Sequence, residues 1–206
     1  DYATTERLQH PRVKGIRIVL HTTPVEALNP DAYQDAAWQA LYTRLRDDQH
    51  IHIYATSPAT NLAVLKRIPP SITVAIDHLG TCEAASGAQA SNYQALLAEA
   101  ARRGNVFFKG PGYRTALKPE DATPFACEIA RIVGADKLVL DATDAPHVGQ
   151  TADATAYCEV FSPEKVFAFT ASLAMNVAEH TNTTAESLLH GNLAALLNLH
   201  TTDSPS

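Results

Sequence analysis

Five short apolar, β-branched runs recur along this chain, each followed by a turn and most by a helical pattern. That alternation constrains the fold more than any other feature. The runs are 15–20 (GIRIVL), 50–55 (HIHIYA), 72–76 (ITVAI), 106–109 (VFFK) and 137–140 (KLVL). Strand cores of this kind, separated by amphipathic helices, form a parallel sheet with helices packed on it. Their separation of roughly 25–35 residues is that of a βα repeat. Asn29-Pro30 reads as a cap and first turn, with Trp38, Leu41, Tyr42 and Leu45 following at i, i+3, i+4, i+7. Ser91 and Gln94 read as a capping box ahead of Leu96 and Leu97. Pro119, Glu120 and Asp121 open a helix that Gly134 closes. Residues 151–199 read as helical throughout. The expectation is one α/β domain over residues 1–200, with a disordered polar tail at 201–206.

Composition narrows the function classes. The net charge of -6 supplies no basic stripe for nucleic acid. Lys66-Arg67 and Arg102-Arg103 are isolated pairs at expected helix ends, where cations suit the dipole. No apolar run approaches the ~20 residues of a membrane span, and no signal-peptide pattern is present. The three cysteines, Cys82, Cys127 and Cys158, are widely spaced and odd in number. They point to a reducing, cytoplasmic setting rather than a disulfide scaffold. The Asn182-Thr183-Thr184 sequon stands alone as a secretory signal. The chain opens on Asp1, as expected of a processed product or a fragment.

In parallel α/β folds ligands sit at the C-terminal ends of the strands, and here those ends are polar. The first strand offers Arg17, with His21 four residues on, and the second carries His52 and Tyr54 on one face. The third runs into Asp77-His78-Leu79-Gly80, and the fourth ends Lys109-Gly110-Pro111-Gly112-Tyr113-Arg114. The fifth ends Asp141-Ala142-Thr143-Asp144-Ala145-Pro146-His147. Singly, each has a plain structural reading: a surface ion pair, a rim tyrosine, a turn, a helix cap. Their convergence on one end of the sheet favours a site.

At these residues the chain resembles the amidohydrolase-related barrel hydrolases, especially the branch that contains 2-pyrone-4,6-dicarboxylate lactonase. The matching stretches are VKGIRI, ITVAIDHLG, NVFFKGPGYR and KLVLDATDAPHV, with a looser match at LLHGNLAALLNL, whose Asn192 corresponds to the asparagine of the family's final helix. The resemblance implies a (β/α)8 TIM-barrel-type fold, of which this chain carries about the last five β/α units plus C-terminal helices. It implies Asp144 as the catalytic aspartate and His78 as the active-site histidine. Arg17, Tyr54 and Arg114 correspond to positions that hold substrate carboxylates, with Lys109 at the strand-end lysine and His147 at the histidine of the last signature. Such an aspartate activates a water for attack on a lactone or ester carbonyl, a histidine polarises that carbonyl, and arginine forks suit carboxylates.

The departures are equally specific. The family's opening H-x-H strand has no counterpart, since the one H-x-H here, His50-Ile51-His52, precedes a different strand. The family's tryptophan in the last signature is Ala145, and the serine of the lysine turn is Pro111. Five strands do not close a barrel of eight, so either a second copy or another polypeptide completes the sheet, or exposed edges remain. The expectation is a hydrolase opening a lactone or related ester of a small carboxylated substrate, without a cofactor. Two alternatives stay open: a metal-dependent hydrolase or decarboxylase of aromatic acids holding one divalent metal such as zinc, and a non-catalytic remnant or scaffold subunit. For zinc, His78 and Asp144 supply two ligands, His21, His52 or His147 a third, and Cys82 a soft donor; Cys82 reads more simply as a small loop residue.

Overall fold

The structure is a computed structural model, and it describes residues 5–20, 29–140 and 163–199. After a short helix α1 (Thr5–Gln9) the chain enters β1 (Gly15–Val19), followed by β2 (His50–Tyr54), β3 (Thr73–Ile76), β4 (Val106–Lys109) and β5 (Leu138–Val139). The five strands form one parallel sheet in the order β1-β2-β3-β4-β5. Every neighbour in space is therefore the neighbour in sequence, the simplest winding a βα repeat permits. Gly15 lies so close to β2 that a β-carbon there would sit 2.0 Å from the His50 carbonyl oxygen. That contact accounts for the glycine that opens the first strand.

The helices are α2 (Ala36–Tyr42), α3 (Pro58–Leu65), α4 (Ser91–Arg103), α5 (Pro119–Ile129), α6 (Pro163–His180) and α7 (Asn192–Leu196). All but α7 bury one face of the sheet. Ile18, Ile51, Ile53, Val74, Ile76, Val106, Phe108 and Leu138 join Leu65, Leu96, Leu97, Phe125 and Leu173 in the main core. The opposite face is treated differently along its length. Near β4 and β5, Ala75, Phe107 and Val139 pack with Leu193 and Leu196 of α7, and toward β1 the face is polar.

Local chemistry departs from the sequence reading at two helix starts. Ser91 is the first helical residue of α4 rather than its cap; Ala90 holds the cap position, without a side-chain bond. Gln94 reaches instead to the Ala88 carbonyl at 2.8 Å and to Glu128 at 2.8 Å, which ties α4 to α5. The segment after Asn29-Pro30 breaks in two, a 3-10 turn over Pro30–Gln34 and then α2, with Asp35 extended between them. Residues 163–199 are helical only in pieces, because a bend at 181–184 separates α6 from the helical turns before α7.

Candidate active site

Pairing register brings the polar strand residues together. Arg17 lies beside His52, His52 beside Ala75 and Ala75 beside Phe107, while Val19 lies beside Tyr54. Asp77, the residue after β3, follows Ala75 by two and so shares its face; its amide bonds the Ile53 carbonyl at 3.0 Å. Three donors from three other strands converge on its carboxylate. The Arg17 guanidinium meets Oδ2 at 2.5 Å, and His52 Nε2 meets Oδ1 at 2.7 Å. Lys109 Nζ lies 3.4 Å from the same Oδ1. Asp77 is only 2% exposed. Burial works to raise its carboxyl, but the His52 hydrogen bond and the charges of His52, Lys109 and His78 prevail and hold it below the usual carboxylate range. Arg17 keeps 40% of its side chain accessible, so the fork bound at one nitrogen has donors left for a ligand.

Immediately beyond Asp77 the backbone turns through four consecutive residues at positive φ: His78 (49°), Leu79 (56°), Gly80 (86°) and Thr81 (55°). Only Gly80 takes that region without cost, and side chains there are strained by about 1–3 kcal/mol each. Neighbouring hydrogen bonds hold the turn. Asn61 Nδ2 donates to the Gly80 carbonyl at 3.1 Å, Thr81 Oγ1 to the Ala55 carbonyl at 2.7 Å, and Thr115 Oγ1 to the His78 carbonyl at 2.7 Å. Leu79 drops into the main core. The turn places the His78 ring between two tyrosines, 5.1 Å from Tyr54 and 5.7 Å from Tyr113, centre to centre. The Arg17 and Arg114 guanidinium carbons lie 5.5 and 5.3 Å from the Tyr54 ring centre, and Arg114 lies 5.7 Å from that of Tyr113. These are cation–π distances.

Arg17, Tyr54, His78, Lys109 and Arg114 thus share one end of the sheet. Tyr54 is the hub of the ring contacts and Asp77 the hub of the ion pairs. Asp144 and His147, and likewise His21, lie outside the described residues. Three residues stand in the cluster in roles the sequence reading did not give them: Asp77, its partner His52, which was weighed only as a third metal ligand, and Tyr113. Alternation alone carried a signal for the first two, since Asp77 follows Ala75 and His52 follows His50 on the inner face. Nothing in the spacing pointed to Tyr113.

Of the side chains weighed for a divalent metal, only His52, His78 and Cys82 fall among the described residues. Among them no group of three or more histidine, cysteine or carboxylate side chains could hold one. His52 and Asp77 are bonded to each other, and the cations Arg17 and Lys109 already occupy the carboxylate. Cys82 is buried, and burial followed by the nearby Glu83 pushes its thiol up, which suits a neutral loop residue.

A parallel sheet wound in sequence order, polar at its strand ends and covered by helices on its other face, defines a β/α-barrel-type protein. The amidohydrolase family matches residues 3–199, and the chain belongs to that family. Two solved structures described as 2-pyrone-4,6-dicarboxylic acid hydrolases are similar in fold. One, from Acinetobacter baumannii with citric acid bound, has a TM-score of 0.65 at 18% identity, over 90% of this chain and 64% of its own. The other, from Pseudomonas putida, has a TM-score of 0.67 at 22% identity, over 90% of this chain and 63% of its own. This chain therefore spans slightly less than two thirds of either structure, and its fold is a partial (β/α) barrel. Among curated proteins none matches it.

Proposed function

We propose that this chain is a hydrolase that opens a lactone or related ester of a small carboxylated substrate. The observation that carries this reading is the meeting of Arg17, Arg114 and His78 around one tyrosine ring, Tyr54, at the strand ends. Two guanidinium groups around one aromatic ring suit a flat, carboxylated substrate, whose carboxylates the forks take. His78 polarises the ring carbonyl as negative charge grows on its oxygen. Asp144, and His147 three residues on, complete the reading. The Asp144 carboxylate takes a proton from water as that water adds to the carbonyl and returns it to the ring oxygen as the C–O bond breaks, giving an enol or alcohol and a new carboxylic acid that then ionises. No step requires a metal. The pairing of His52 with Asp77 supports the metal-free form over the metal-dependent one, because it commits one of the histidines that could have supplied the third ligand.

The reading includes a reducing, cytoplasmic setting, for which the unpaired thiols of Cys82 and Cys127 speak. No helix among the described residues is long and apolar enough to cross a membrane. It also includes a second copy or another polypeptide at the β1 edge. The test is turnover of 2-pyrone-4,6-dicarboxylate, followed by loss of the pyrone's ultraviolet absorbance with and without a chelator. Asp144→Asn is expected to lower kcat at least about 10³-fold with dicarboxylate binding kept within about threefold. Unchanged kcat in that variant removes the water-activation role. Loss of turnover in chelator, restored by one equivalent of zinc, moves the assignment to the metal-dependent alternative. No turnover of any carboxylated lactone leaves the scaffold alternative.

A further inference from the structure

We propose that Asp77 is the positioning residue of this site: one buried carboxylate that holds Arg17, His52 and Lys109 in a fixed fan and thereby sets where the cations meet an anionic substrate. The proposal rests on the carboxylate-binding reading above and deepens it. Its basis is topological as well as local. The three donors come from β1, β2 and β4, and the acceptor from the end of β3, so a single side chain ties four adjacent strands on the inner face. A carboxylate between an arginine and a lysine is ionised and can only accept. The His52 nitrogen 2.7 Å from Oδ1 must therefore carry a proton, which fixes His52 as the Nε2–H donor and leaves Nδ1 as the acceptor in the neutral ring. Arg17 is held on one side by Asp77 and lies 5.5 Å from the Tyr54 ring centre on another. A flexible, half-accessible arginine is thereby confined before any ligand arrives, so less order has to be imposed on binding.

Charge and geometry predict opposite results when Asp77 becomes asparagine, and that makes the proposal sharp. Asp77→Asn removes a negative charge next to three cations, so Coulomb attraction alone would tighten an anion. A positioning role requires the reverse, because the amide cannot hold both cations and also accept from His52. The probe is isophthalate, a flat dicarboxylate that cannot be hydrolysed, measured by titration calorimetry on the full chain. We expect Asp77→Asn to weaken isophthalate at least fivefold and Asp77→Glu to recover part of that loss. The same variant is expected to move the His52 ring-nitrogen shifts in long-range 15N NMR away from the Nε2–H pattern. Isophthalate bound equally well or more tightly by a folded Asp77→Asn overturns the proposal. So does an Nδ1–H pattern for His52 in the wild-type chain, a measurement that stands even where the variant does not fold. The lactonase reading fails separately, when wild-type chain binds isophthalate and shows the Nε2–H signature but opens no lactone.

Discussion

His50 and His52 occupy the same strand and the same face, with ring centres 6.2 Å apart, yet their surroundings assign them different jobs. His52 has a carboxylate partner. The Nδ1 of His50 is buried, with no hydrogen-bond partner among the described residues. Burial first, and then the charges of His52 and Lys109, pull His50 down to about 4, so at neutral pH it is an uncharged ring. Because the folded value lies below the ordinary 6.5, the unfolded chain takes up a proton over a range where the folded one does not. The stability that follows is complete above pH 6.5 and is lost as pH falls toward 4. Between pH 7 and 5 the loss amounts to about 2 kcal/mol. Glu128, held at about 2 chiefly by its Arg131 hydrogen bond, contributes little in that window, since its unfolded value lies below it. Urea unfolding at pH 7 and pH 5 is expected to show this drop in the wild-type chain and a much smaller one in His50→Gln; equal drops in both would exonerate His50. At this scale the sequence exposed the strand-end arginines, Tyr54, His78 and Lys109, because alternation and motif both point to them. The importance of Asp77 was not legible. It depends on register across four strands, and one-dimensional spacing carries no register.

Among the elements, α4 shows how a side chain can exceed its local reading. Arg102 and Arg103 both end that helix, where a cation complements the dipole. Arg102 does little more, forming an exposed i,i+3 pair with Glu99. Arg103 instead reaches across to the carbonyls of Leu65 and Ile68 with one nitrogen and of Pro69 and Ile72 with another, all at 2.9 Å. These carbonyls end α3 and lead into β3, so the guanidinium closes the far end of two βα units. Asn105 adds two bonds to the same loop, to Pro70 at 2.8 Å and Ile72 at 3.1 Å. Arg103→Met, which keeps the apolar stem, is expected to cost roughly 2–3 kcal/mol in thermal or chemical unfolding. Arg102→Met is expected to cost less than about 0.5 kcal/mol. Similar costs for the two would mean that only the helix-end charge matters. The five strands and α5 were readable because apolar runs and cap residues coincide there. Helix α3 was marked only by the Lys66-Arg67 pair at its end, although Ser57 caps it, accepting from the Thr60 amide at 3.2 Å, and Pro58 opens it. Its residues are buried on too many sides for a clean amphipathic stripe, among them Thr60, Asn61, Val64 and Leu65. The expected cap at Ser91 failed for a different reason: Gln94, which it required as a reciprocal partner, is committed to Glu128.

Among the described residues the two ends of the sheet are finished differently. At β5 the Leu140 amide bonds the Leu188 carbonyl at 2.8 Å, and Asn192 donates to the Ala135 and Leu138 carbonyls at 2.8 and 2.7 Å. The chain's own later helices thus cover that end, which gives the asparagine of the LLHGNL stretch a structural task. Among the described residues no strand lies beyond β1, and Val19, on the polar face beside Tyr54, is 45% exposed. An uncovered parallel edge offers a row of backbone donors and acceptors to any incoming strand, and closing a barrel is what removes such an edge. Arg17, the residue that Asp77 holds, belongs to this same strand. Strand addition at β1 would therefore lie beside this arginine, and exclusion of water there would strengthen its hold on a carboxylate. Activity is then expected to depend on association. Light scattering should give a mass above the 22.2 kDa of one chain, turnover per chain should fall on dilution as that mass falls, and the β1 amides should lose their protection from hydrogen exchange over the same range. A 22.2 kDa species that keeps full turnover per chain on dilution would show that the open sheet is sufficient, and that the β1 edge is a bare rim with no part in the site.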